Sequence, residues 1–143
     1  VWYGFAKQNV PVSIQSRTYP VNRDGMRLKK DERLRKNSDF SRTYKKGRSQ
    51  AHYLLVLVYR KNGNRGNRVG FSVSKKYGNA VSRNKIRRRL REIYTRERLK
   101  LKAGYDMIFV VRKNAQGAGF DQLRQAVGTL LTKAGLYDTG KDR

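Results

Sequence analysis

From residue 53 onward the chain switches between two hydrophobic rhythms, and each rhythm predicts an element. Tyr53-Leu54-Leu55-Val56-Leu57-Val58-Tyr59 is apolar at every position, the pattern of a strand covered on both faces. Arg68 to Ser74 instead alternates Val69, Phe71 and Val73 with Arg68, Gly70, Ser72 and Ser74, the period of two that gives a strand one apolar face. Between them lies the turn cluster Asn62-Gly63-Asn64-Arg65-Gly66, which predicts antiparallel pairing of these two strands. Tyr105–Val111 reads as another strand. Three segments carry a helical period. Phe40 and Tyr44 stand at i and i+4, in a helix of about two turns that Asn37 or Ser38 caps, Asp39 favours at its positive end and Gly47 stops. Asn79 caps a helix from about Ala80 to Lys100, in which Ile86, Leu90, Ile93 and Tyr94 form one apolar face. Phe120, Leu123, Val127, Leu130, Leu131 and Ala134 recur at helical spacing up to Gly135. The order is α-β-β-α-β-α, with one more strand if Gln50–Tyr59 is split, and the fold class is α+β.

Charge changes this picture most. The 143 residues hold 35 Lys and Arg against 10 Asp and Glu, a formal charge of +25. Such a chain repels itself unless a polyanion neutralises it, and nucleic acid leads the candidates, ahead of an anionic membrane surface or an acidic protein. The length suits one domain with a single core. Cysteine is absent and His52 is the only histidine, which excludes a disulfide framework, Cys-ligated zinc and thiol nucleophiles and argues against a Ser-His-Asp site. His52 reads as a strand-edge residue with a local hydrogen bond. No stretch is long and apolar enough to span a membrane, and no secretory signal opens the chain, so the expected location is the cytoplasm. Residues 1–25 hold both prolines and the tryptophan without a sustained period, and Met26 is followed by Arg27-Leu28-Lys29-Lys30. Residues 1–25 are read as an upstream extension or cloning remnant, poorly ordered, and residues 26–143 as the folded basic domain that binds the polyanion.

The cations are most concentrated at residues 83–91, Arg-Asn-Lys-Ile-Arg-Arg-Arg-Leu-Arg, with five arginines and a lysine. Asn84, Arg87, Arg88 and Arg91 occupy i, i+3, i+4 and i+7, a stripe predicted to point away from the core. Like charges at these spacings destabilise an isolated helix, and bound phosphates compensate them, arginine gripping phosphate bidentately. A merely solvated basic face is the alternative, but Glu92 and Glu97 are the only nearby carboxylates. Chemistry by the protein itself has no motif behind it: Asp31 and Glu32 are adjacent, while Asp39, Asp106, Asp121 and Asp138 are scattered.

The run Lys75-Lys76-Tyr77-Gly78-Asn79-Ala80-Val81-Ser82-Arg83-Asn84-Lys85-Ile86-Arg87-Arg88 resembles the signature of the bacterial ribonuclease P protein subunit. Asn37-Ser38-Asp39-Phe40, Lys45-Lys46-Gly47-Arg48-Ser49 and Val69-Gly70-Phe71-Ser72-Val73-Ser74 agree with it in order. The resemblance covers Met26 to Tyr137. It implies a two-layer α/β sandwich similar to a ribosomal protein domain, with a left-handed crossover at the arginine-rich helix. It also implies a role beside a catalytic RNA in endonucleolytic removal of the 5′ leader from precursor tRNA. On that resemblance Lys75, Lys76, Arg83, Asn84, Lys85, Arg87, Arg88 and Arg91 contact RNA. Phe40, Tyr44, Ser49 and Ser74 belong to a cleft for the single-stranded leader, there being no catalytic residue and no metal ligand in the protein. Lys85 stands where the family usually has a second arginine, keeping charge but not the bidentate grip. The family's aromatic near the end of the first long strand falls at Val58, with Tyr59 adjacent. Magnesium would be held by the RNA, and the partners would be ribonuclease P RNA and precursor tRNA, without membrane or DNA. Spacing alone reads Phe40 and Tyr44 as core; the resemblance places them partly exposed. A structural, ribosomal-type RNA-binding protein and an autonomous metal-dependent nuclease are the competing readings.

Overall fold

The computed structural model describes residues 28–63 and 66–139; the expectation for residues 1–25 lies outside them. Among the described residues, three helices, α1 (Asn37–Lys46), α2 (Ala80–Glu97) and α3 (Phe120–Ala134), accompany four strands, β1 (Arg48–Ala51), β2 (Leu55–Lys61), β3 (Arg68–Val73) and β4 (Tyr105–Val111). The segment Gln50–Tyr59 is indeed split, leaving Tyr53 and Leu54 in the turn between β1 and β2. Local signals place several ends. The Asn79 side chain accepts from the Ser82 N–H at 2.8 Å to start α2, and Gly135, at φ 70°, closes α3 in the left-handed region. The start of α1 differs from expectation: Lys36 is the cap and no side chain closes it.

The sheet runs β1-β2-β4-β3, with β3 and β4 parallel and the other pairs antiparallel. The predicted β2–β3 hairpin is therefore absent. β4 is apolar along most of its length and pairs with β2 from Leu55↔Val111 to Lys61↔Tyr105. A strand with large apolar residues on both faces belongs in the middle of a sheet, whereas β3, also buried but carrying the small Gly70 and Ser72 on one face, occupies an edge. The helix α2 makes the crossover between the parallel pair.

Alternate residues of the central strands feed two cores. Leu55, Leu57, Tyr59, Met107, Phe109 and Val111 join α2 and α3 on one face. Val56, Val58, Ile108 and Val110 join Leu34 and Phe40 on the other. The expected sandwich is present, and α1 adds a partial layer on the second face. Gly70 makes room for it: a Cβ there would stand 2.5 Å from the Phe40 ring. Phe40 is buried and must shift to admit a methyl group, so Gly70→Ala is expected to cost about 1–3 kcal/mol of stability by overpacking. Denaturant unfolding measures it, and an unchanged midpoint would mean that α1 sits loosely on the sheet.

An ionic cluster holds the same layer at its edge. Asp106 on β4, 0% exposed, receives two hydrogen bonds from the Arg68 guanidinium, at 2.9 and 2.8 Å. Asn62 donates to it at 2.9 Å and Arg60 stands at 3.5 Å. Arg68 also reaches Asp39 of α1 at 3.3 Å.

Candidate nucleic-acid interface

The basic helix begins in a basic turn. Lys75 and Lys76 lie in the 3-10 turn that follows β3, both exposed, and Tyr77 beside them is buried in the main core. Asn79 then opens α2, whose positive end adds to these charges. Along the helix Lys85 and Arg88 are exposed, while Arg83, Asn84 and Arg89 are half-buried. Arg89 acts electrostatically on Tyr77, which puts this arginine near the lysine turn; sequence reasoning had left it out of the interface.

Arg87 and Arg91 correct the outward stripe: they are 3% and 2% exposed. Arg87 donates to the Asn84 Oδ1 at 3.1 Å. Burial, with Arg83 close by, lowers its guanidinium to about 10. A helical wheel treats every residue off the apolar face as solvated. The flank carrying Arg87, Arg91 and Thr95 is instead closed, and its C-terminal end shows one cause. Arg98 holds the Glu32 carboxylate with two bonds of 3.0 Å, so chain from before α1 runs beside α2, and Leu28 enters the same core as Tyr94.

On the α1 face, register aligns the cleft candidates without gathering them at one point. Ser49 pairs with Val58 at the β1 edge and is exposed. Ser74, half-buried, follows β3 at the opposite edge. Tyr44 of α1 is half-buried and packs on the Val56–Val110 core. Burial pushes its hydroxyl up to about 12, the neighbouring Ser72 hydroxyl acting slightly the other way. Phe40 does not join them: it is 1% exposed and its ring lies over Gly70. The partly exposed Phe40 implied by the resemblance gives way to the core role that its spacing predicts. Val58 faces this side, buried, and Tyr59 faces the other core. The Ser74 edge runs directly into Lys75 and Lys76, so the two candidate surfaces are continuous along the chain.

Five of the carboxylates make contacts that hold the fold. Asp39 and Asp106 hold Arg68, Glu32 holds Arg98, Glu92 holds Arg96, and Glu97 accepts from the Tyr137 hydroxyl at 2.6 Å. Among the described residues no three His, Cys, Asp or Glu side chains come together to hold a metal ion. His52 has the local bond expected of it, its Nδ1 accepting from the Leu54 N–H at 3.0 Å. No helix among the described residues is long and apolar enough to cross a membrane.

The model of a family described as Ribonuclease P matches residues 28–135. The chain is 43% identical over 112 residues to the ribonuclease P protein component of Alkaliphilus oremlandii, covering 78% of this chain and 98% of that one. It resembles the solved RNase P protein of Staphylococcus aureus, with 36% identity, a TM-score of 0.70, and coverage of 75% of this chain and 98% of that one. For the RNase P protein of Thermotoga maritima the figures are 34% identity, a TM-score of 0.66, and coverage of 71% and 96%.

Proposed function

The chain belongs to the ribonuclease P protein family and is a subunit of that ribonucleoprotein endoribonuclease, and we propose how its surfaces serve the complex. The basic turn and the outer side of α2, namely Lys75, Lys76, Arg83, Lys85 and Arg88, grip the phosphates of ribonuclease P RNA. Arg87 and Arg91, being buried, act on RNA through the position of Asn84 and Arg83 and the shape of the helix rather than as outer contacts. The α1 face, with Tyr44 between Ser49 and Ser74, receives the 5′ leader of precursor tRNA. The RNA partner carries out the cleavage with magnesium that it holds itself, and the protein lowers the phosphate repulsion between leader and catalytic RNA. The work takes place in the cytoplasm, on RNA and not on DNA.

The observation that carries this reading is the exposed cationic run beginning where β3 ends: Lys75 and Lys76 on the turn, then Lys85 and Arg88 on α2. Arginine-gripped carboxylates support giving the magnesium to the RNA, since Asp106 and Asp39 are committed to Arg68. A ribosomal-type scaffold role is not favoured, because the family match spans residues 28–135. Reconstitution tests the whole. The protein with ribonuclease P RNA and magnesium is expected to cleave precursor tRNA, and the protein with magnesium alone is not; cleavage without added RNA would contradict the assignment. Arg88→Ala is expected to flatten the log–log salt dependence of RNA binding by about one unit. An unchanged slope would take Arg88 off the interface.

A further inference from the structure

At the end of the sheet opposite Ser74, where β1 begins and β2 ends, a cavity of about 520 Å3 is lined by Lys46, Arg48, Arg60, Lys61, Tyr59, Tyr105 and Ala134. Four of these seven residues are cations and none is an acid. Lys46, Arg48 and Lys61 are exposed and, among the described residues, pair with no carboxylate, whereas Arg60 leans on Asp106 at 3.5 Å. Tyr105 is half-buried at the margin of the main core, and its backbone N–H is fixed to the Asn67 Oδ1 at 2.8 Å. The recess thus offers anion-binding charge beside a partly buried aromatic residue. A single phosphate needs neither the ring nor the room, for the volume lies in the range of about 300–1,000 Å3 that holds a small organic ligand. Basic side chains along a backbone with an aromatic platform for the base are the combination that single-stranded nucleic acid uses.

We propose that this recess is a further RNA-docking site, which takes one unstacked nucleotide with its phosphate on Arg48 and Lys61 and its base against Tyr105. The site rests on the reading of the chain as an RNA-bound subunit, and its lining shares no residue with the two surfaces described above. The nucleotide belongs either to ribonuclease P RNA or to precursor tRNA, and two binding measurements separate these sources. In the first, the full chain binds ribonuclease P RNA over a range of salt. In the second, the assembled complex binds precursor tRNA. For the RNA that fills the recess, the double variant Arg48→Ala/Lys61→Ala is expected to flatten the salt slope by about one to two units. Tyr105→Leu should weaken the same complex roughly 5- to 150-fold, the loss of one stacked base, while Tyr105→Phe keeps wild-type affinity. If Tyr105→Leu lowers the melting temperature, the double variant decides, since its two side chains are exposed. Unchanged slope and affinity in both measurements, with Arg88→Ala still losing its unit, overturn the recess and leave the subunit assignment standing. Failure of the unaltered protein to bind ribonuclease P RNA ends the subunit assignment and the recess with it.

Discussion

Arg68→Ala is expected to lower the unfolding free energy by about 3–5 kcal/mol, the range for breaking a buried ion pair from one side. The substitution strands Asp106, whose carboxylate is 0% exposed and would keep only Asn62 at 2.9 Å and Arg60 at 3.5 Å. It also removes the link from β3 to Asp39 of α1. The strength of the contact appears in the guanidinium itself, which is raised above its ordinary value chiefly by the hydrogen bond to Asp106. Most of the loss comes from the abandoned charge rather than from the pair, so replacing both partners with apolar residues should recover much of it. Denaturant unfolding of Arg68→Ala and of Arg68→Met/Asp106→Leu compares the two. A double variant no more stable than the single one would place the cost somewhere other than the buried carboxylate.

Phe40→Ala is expected to cost a similar amount, about 3–5 kcal/mol, because it empties the centre of the core beneath α1. The ring contacts a sheet face built from Val56, Val58, Ile108 and Val110, and Gly70 below it is bare so that the ring fits. Loss of the ring loosens α1 as a whole. Precursor and mature tRNA should therefore bind the assembled complex with losses of equal size, measured beside the melting temperature. A selective loss for precursor tRNA with an unchanged melting temperature would instead put the ring in contact with the leader.

What was legible in the chain was local. Asn79 and Gly135 mark helix ends because a cap is a bond between residues three or four apart, or a backbone angle that glycine accepts readily. The i, i+4 spacing of Phe40 and Tyr44 already contains the core reading that Phe40 fulfils. Tyr44, with the same spacing, lies one turn nearer the end of α1 and is only half-buried. Strand order was not legible, because a turn cluster between β2 and β3 is compatible with a hairpin or with a wider return. The choice depends on β4, which lies more than thirty residues beyond β3 in the chain. Nor was the inward position of Arg87 and Arg91 legible, since a helical wheel knows the helix but not the chain that closes its flank.

By itself, then, the amino-acid order determined the charge, the two hydrophobic periods, the helix caps and the family motif, since each is a property of neighbours or of the sum. Only the folded molecule decided that β4 separates β2 from β3, that Asp106 is gathered with Arg68 and Asp39, and that two arginines of the motif are inside. Those outcomes depend on which distant segments exclude water from one another, and burial of that kind is settled in three dimensions.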